Sequence, residues 1–462
     1  MLWGILACGP PAPELVRKPA PAPEALLIRR VAVLDVETGV RALDRDVLVR
    51  GDRIAAIEPA GTLTPPKGAE TIDGAHGTLL PGLIDAHGHI TLAHAPPWQL
   101  TMPDPDANLR AYLFAGVTTV LDPADSTGGA LERRDAVARG ELLGPQIYAA
   151  GIPLTAPGGH PVAMVRALAP WWLAWYLAPR AARQVASERE IRDAIDRVAG
   201  EGADFLKVMV DRIPSEAPRL DALQIADIVA EARDRGLRTL AHIGRLEDAL
   251  DAARAGVAAW VHGVYLERIP DEEIPTLARF GIPMVPTSVV FESYAEMPRA
   301  DRHATALERQ MVPREVLEAF NTPPEDSDLL DRFGDWLGRL AAERTSRREN
   351  VRRLHEAGVM ILAGSDAQYG VFPGAGLHRE LDLLAGAGLT PLEVIRAATI
   401  SAARFLEPTE EPDFGRVQVG RRADLLLVEG DPTRSVAALH RIREVIVRGV
   451  RLIRTPLEPA TP

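Results

Sequence analysis

The sequence predicts an α/β fold, a (β/α)8 TIM barrel with a small β-sandwich beside it, and three observations predict it. Short apolar runs with β-compatible residues alternate with helical stretches over residues 79–407. Several of those runs end abruptly in histidine, lysine or aspartate, at the strand ends where such barrels carry their chemistry. On both flanks the alternation gives way to short strands separated by turns.

Taken in order, residues 1–24 read as a Pro/Ala-rich tether, Pro10 to Glu24, behind a short apolar opening. ALLIRRVAVLDV (Ala25 to Val36) and DVLVRGDRIAAIE (Asp46 to Glu58) read as strands broken by turns. TLLPGLIDAHGHI (Thr78 to Ile90) is an apolar strand ending in polar residues. Further strands are expected at Ala115–Asp122, Pro145–Gly151, Phe205–Val210, Leu237–Ile243, Ala258–Val264, Ile282–Pro286 and Val359–Asp366. With the strand at 79–84 these make eight, and Leu220 to Gly236 is typical of the helices between them. After residue 410 short strands return at Phe414–Val417, Ala423–Val428 and Glu444–Val450. The expected division is therefore a barrel over 79–407 and a composite β domain from 25–78 and 408–456.

Composition narrows the function. A 47% hydrophobic, 25% charged chain of 462 residues is ordinary for a globular protein. Its net charge of −12 argues against a nucleic-acid partner. The single cysteine, Cys8, excludes an intramolecular disulfide framework and any multi-thiolate metal site. In MLWGILACGPP that cysteine resembles the lipidated position of a bacterial lipoprotein signal. A membrane tether through Cys8 and a periplasmic location are the expectation, with a cytoplasmic protein as the alternative.

GADFLKVMV, Gly202 to Val210, poses the sharpest chemical question. Of 52 Lys and Arg residues only Lys18, Lys67 and Lys207 are lysines, and Lys207 sits inside an apolar strand. Either it snorkels from a strand end or the position needs an amine that can lose its proton; this stretch alone leaves both open. The other strand ends supply His87, His89, His242, His262 and Asp366. His87 and His89 are two apart in an extended strand, so both point to one face and can hold one ion. Nitrogen and oxygen ligands without thiolate suit Zn²⁺, with Mn²⁺ or Fe²⁺ as alternatives. A neutral amine in such a site can take up CO₂, turning Lys207 into a carbamate that bridges two cations.

In this pattern the chain resembles the metal-dependent amidohydrolase superfamily. The resemblance runs from about Ala25 to about Leu452 and includes LPGLIDAHGHI, AGVTTV, AATISAARFL and GRRADLLLV in family order. GADFLKV, HGVYL and PGGHP look closest to the imidazolonepropionase-like branch that includes Xaa-Pro dipeptidases, or prolidases. The retained Lys207 argues against imidazolonepropionase activity itself. The resemblance implies two divalent ions, one on His87 and His89 with Asp366, the other on His242 and His262, bridged by the Lys207 carbamate. It implies attack by a metal-bridging hydroxide on the amide of an Xaa-Pro dipeptide or an N-acyl amino acid. Asp366 would act as general base and then general acid. His160 and Tyr265 would contact the substrate, although for Tyr265 a core aromatic fits as well. A homo-oligomer is expected.

Alternatives on the same fold are cyclic-amide or lactone hydrolysis and deamination. A deaminase would normally carry a glutamate close to the fifth-strand histidine, and LAHIGR, Leu240 to Arg245, offers none in the immediate turn. A non-catalytic scaffold, the reading from another class, would typically have lost ligands that this chain keeps. His355 and His378 fall in helical stretches and read as packing or solvated residues; His94 is a candidate pocket residue. APWWLAWYLAP, Ala169 to Pro179, reads as a rim-packing helix or an aromatic lid, and in third place as a membrane contact.

Overall fold

The computed structural model describes residues 13–21, 23–99, 101–169, 171–297, 301–323 and 334–459. Cys8 and the apolar opening lie outside the described residues. Part of the expected tether docks on the folded chain. Val16–Arg17 pairs antiparallel with Ile453–Arg454, and Leu15 and Val16 are buried. Two adjacent apolar side chains within a Pro/Ala-rich run are enough to dock it.

One sheet takes strands from both ends of the chain. Its order is Val450–Arg451, Ile442–Val447, Leu425–Val428, Thr78–Pro81, Ala25–Leu34, Arg41–Arg50 and Arg53–Pro59, with Ala69–Asp73 paired alongside Ala25–Leu34. Alternating residues of these strands, such as Leu26, Ile28, Val47, Val49, Leu425 and Leu427, form its apolar core. Phe414–Val417, expected as a strand, forms none, although Phe414 is buried.

The stretch expected as one strand over 78–90 divides at Gly82. Thr78–Pro81 runs antiparallel to Leu425–Val428, while Leu83–Asp85 starts the parallel strands. A Cβ on Gly82 would stand 2.2 Å from Thr118 Oγ1, so only glycine lets the chain pass between the two sheets there.

The parallel strands form two sheets in place of the single closed ring of eight expected. Leu83–Asp85, Val117–Asp122 and Gln146–Ala149 make one. Arg183–Gln184, Leu154–Thr155, Phe205–Met209, Arg238–His242, Ala259–Val261 and Met284–Val285 make the other. The expected last strand is reduced to a bridge between Met284 and Ile361. Its backbone still spans the gap between the sheets: Leu362 N donates to Met284 O at 2.9 Å, and Ala86 N donates to Ala363 O at 2.9 Å. Buried apolar side chains on both sides of these strands, with helices such as Glu188–Gly200 and Ala222–Asp234 packed outside, place the site residues at strand C-termini.

Candidate active site

All five residues of Phe205–Met209 are buried, and Lys207 is 2% exposed. Burial pulls its ammonium down to about 7, against the opposing pull of Asp366, Asp211 and Asp122. The snorkelling alternative therefore fails, because the side chain stays buried and lines an interior cavity. His242 ends the next strand, His262 follows Ala259–Val261, and all six expected ligands line one cavity of about 230 Å³.

On one side of the cavity stands Asp366. Its Oδ1 lies 3.0 Å from His89 Nε2 and 3.4 Å from His87 Nε2, and its Oδ2 lies 3.9 Å from His262 Nδ1. Burial opposes its ionisation, but His87, His89 and His262 hold the carboxyl well below the ordinary range. Ligand atoms of His87, His262 and Asp366 all fall within 4.8 Å of one another. Burial, helped by Lys207, lowers His87 to about 3, whereas His89 is raised to about 10, burial being overcome by Asp122 and Asp366. Burial carries His242 to about 4 and His262 well below its usual value.

The local backbone is built to deliver these groups. His262, Thr287 and Asp366 have φ of 67°, 48° and 50°, a left-handed region that costs a non-glycine residue energy and clusters at functional sites. A Cβ on Gly364 would come within 2.9 Å of His87 N, so the Asp366 turn can lie against His87 only with glycine there. Asp366 N then donates to His87 O at 2.6 Å.

Opposite stands Asp211, which the sequence reading did not single out. Its Oδ1 is 2.9 Å from His160 Nδ1, and its Oδ2 is 3.1 Å from both the Tyr265 hydroxyl and His242 Nε2. Burial works against its ionisation, yet His242 and His160 hold the carboxyl well below its usual range. His160 lines the cavity. Tyr265 does not line it: its ring stacks on Phe291 at 4.0 Å and its hydroxyl donates to Asp211. Ligand atoms of His262 lie together with those of Asp366 and His87, and those of His242 with those of His160 and Asp211.

Three further side chains support the ligands. Asp85 accepts from Ser365 N at 2.9 Å and Ser365 Oγ at 2.5 Å, tying the turn before Asp366 to the strand before His87. Asp122 accepts from Ile90 N at 2.9 Å and stands 3.7 Å from His89 Nδ1. Thr287 Oγ1 meets His262 Nδ1 at 2.5 Å. Of the aspartates the sequence reading missed, Asp85 precedes His87 by two, Asp122 ends its strand, and Asp211 lies four past Lys207; Thr287 had no such signal.

Of the weaker candidates, His94 does not line the cavity, and His378 is buried with its Nε2 2.8 Å from Ala115 O. His355 stands 3.3 Å from Glu393. In the helix Trp171–Leu177 only Ala174 is buried, while Trp171 and Trp175 are 84% and 71% exposed. The helix packs through that one face on Val162–Leu168 and leaves its aromatic side chains exposed. Met164, Ile213, Phe291, Tyr294 and Trp336 form the apolar wall of the cavity.

A family model described as the amidohydrolase family matches residues 78–452. An uncharacterized protein of Mycobacterium tuberculosis is 27% identical over 83% of this chain and 88% of its own length. Ochratoxinase of Aspergillus niger is 24% identical over 88% of this chain and 83% of its own length. The crystal structure of a Xaa-Pro dipeptidase with bound methionine superposes with a TM-score of 0.73 at 22% identity, covering 93% of this chain and 100% of the other.

Proposed function

The chain belongs to the amidohydrolase family, and from that premise we propose that it uses two divalent ions to cleave the amide bond of an Xaa-Pro dipeptide or an N-acyl amino acid. The observation that carries the reading is Lys207, which lines one cavity with His87, His89, His160, His242, His262 and Asp366 and whose ammonium burial lowers to about 7. At that value much of the amine is neutral near physiological pH. Its Nζ can attack the carbon of CO₂ and release one proton, leaving an N-carboxylate in place of a buried cation. The two parallel sheets, joined through Ile361–Asp366, are read as one (β/α)8 barrel with the mixed-terminus sheet as a small β domain.

The donor set fits the ions. Nε2 of His87 and of His89 point at Asp366 Oδ1, and His242 Nε2 is buried without a hydrogen-bond partner, which a cation on the lone pair would relieve. His87, His89 and Asp366 would hold one ion and His242 and His262 the other, with the Lys207 carboxylate between them. Zn²⁺ suits these ligands, with Mn²⁺ or Fe²⁺ as alternatives. When bound, the ions would polarise the scissile carbonyl and acidify the attacking water.

The chain's own residues do the rest. Asp366 is placed to take a proton from that water and return it to the leaving nitrogen. With its single ring proton on Nδ1 towards Asp211, His160 would present Nε2 to the substrate as a hydrogen-bond acceptor. The wall of Met164, Ile213, Phe291, Tyr294 and Trp336 excludes water and receives an apolar side chain, and 230 Å³ limits the substrate to about the size of a dipeptide. Metal analysis combined with rates across dipeptides and N-acyl amino acids tests the reading. Two ions per chain and hydrolysis within that set are expected; full activity with one ion per chain would overturn the binuclear assignment.

A further inference from the structure

Asp211 is a buried carboxylate to which the proposed reaction gives no step. It follows the strand Phe205–Met209 by two residues and is 1% exposed. An ionised carboxylate only accepts, so the proton in its 2.9 Å contact with His160 belongs to Nδ1. From the other side the Tyr265 hydroxyl donates to it at 3.1 Å, and Tyr265 is itself fixed by stacking on Phe291 with the rings inclined by 22°.

We infer that Asp211, braced by Tyr265, is a positioning residue for His160: it fixes the ring orientation and keeps the proton on Nδ1, so that Nε2 is the nitrogen presented to the substrate. An imidazole without such a partner can flip its ring and exchange tautomers, and either change offers the substrate the wrong atom. A charged acceptor holds the ring more strongly than a neutral one. Asparagine is a poor substitute. Its one carbonyl oxygen can still accept from His160, but its amide NH₂ then faces Tyr265 and His242, and the Tyr265 hydroxyl must change from donor to acceptor. The role of Nε2 rests on the proposed function; the Tyr265–Asp211–His160 relay does not.

The same atoms suggest a competitor, because ligand atoms of His160, Asp211 and His242 lie within 4.8 Å of one another and could hold an ion. Ion content separates the two. In Zn²⁺-loaded protein Asp211→Asn is expected to keep two ions per chain while kcat/KM for an N-acyl amino acid falls about 100-fold. In a His160→Ala background the same change should add less than about threefold, since the two residues act as a unit. Tyr265→Phe should lose about tenfold in the same coupled way. A readout independent of turnover is the low-field Nδ1–H resonance of the His160 imidazole, which Asp211→Ala and His160→Ala should each abolish. Loss of an ion from Asp211→Asn would make Asp211 a ligand and overturn the inference, as would losses that multiply in the double variant or the absence of a shared resonance. Loaded wild-type protein that hydrolyses no amide would sink the proposed function, and the resonance would still decide on the relay.

Discussion

The two sides of the cavity use the same residue types to opposite ends. On each, a fully buried aspartate is kept ionised by neighbouring histidines against the pull of burial. On the Asp366 side the arrangement is incomplete within the protein: Nδ1 of His87 and His89 find no partner, and the backbone is strained at His262, Thr287 and Asp366. On the Asp211 side both carboxylate oxygens have donors, from His160 and Tyr265, and Asp211 itself has no left-handed φ. Backbone strain marks the Asp366 side; on the Asp211 side the His160–Asp211–Tyr265 contacts are complete, whereas His242 Nε2, a candidate ligand, is left without a partner. A buried histidine–aspartate pair thus has no fixed meaning, and the completeness of its hydrogen bonding decides which role it has.

Lys207 lies between the two sides, and replacing it should have the largest effect. If it served only as a positive charge, Lys207→Arg would be mild. As a carbamate bridge, arginine must fail, because a guanidinium stays protonated and would place a cation between two dications. A loss of about 10⁴ in kcat/KM with depleted metal is expected, measured by steady-state rates and metal analysis. Lys207→Ala should fail as well, but regain some activity when a short-chain carboxylic acid in solution fills the vacated bridge. An active Lys207→Arg protein with two ions would remove the carbamate from the mechanism.

Asp366→Asn sharpens the contrast next. Asparagine keeps an oxygen towards His87 and His89 but cannot carry the proton, so about 10³-fold lower kcat with metal largely retained is expected. If the Asp211 side instead handled proton transfer, Asp366→Asn would be nearly normal and Asp211→Asn the more damaging of the pair.

How far these two sides were legible in the sequence follows from the same difference. The candidate ligands other than Asp366 were readable because histidines are scarce and each ends an apolar run, and a lysine is scarcer still in this arginine-rich chain. Asp211, Asp122 and Asp85 are three among 64 acidic residues, and only their strand-end position or two-residue spacing set them apart. In the fold, the parallel strands rich in Val, Leu and Ile were visible, whereas Leu154–Thr155 and Arg183–Gln184 are two-residue strands, too short to carry a periodicity. The division at Gly82 depended on Thr118 in another strand, and the docking of Val16–Arg17 on Ile453–Arg454 at the far end of the chain. Such tertiary partners leave no local trace.

A smaller effect concerns pH. Only the neutral amine of Lys207 attacks CO₂; below its value of about 7 the ammonium predominates, and above it the amine does. At a fixed concentration of dissolved CO₂, metal reloading of stripped protein should therefore be about tenfold faster at pH 8 than at pH 6. Lys207→Ala should show no such CO₂ dependence. A CO₂ effect that is flat across this range in wild-type protein would mean that the lysine is not the group being carboxylated.

The smallest effect is expected outside both sides, at the aromatic helix. Trp171 and Trp175 are among the most exposed large apolar side chains described, and neither lines the cavity, although Met164, Val165 and Ala181 from the flanking segments do. Reactivity towards a small substrate should then depend on the flanking wall and not on the indoles. The double variant Trp171→Ser/Trp175→Ser should leave kcat/KM within about twofold, while Met164→Ala, which opens the apolar wall, should raise KM about tenfold with kcat nearly unchanged. If the helix instead folds over the bound substrate, the serine variant would lose at least as much as Met164→Ala, and in kcat as well as KM, because closure excludes water from the reacting carbonyl. That outcome would add a third, mobile side to the cavity, and the two-sided description would no longer account for its chemistry.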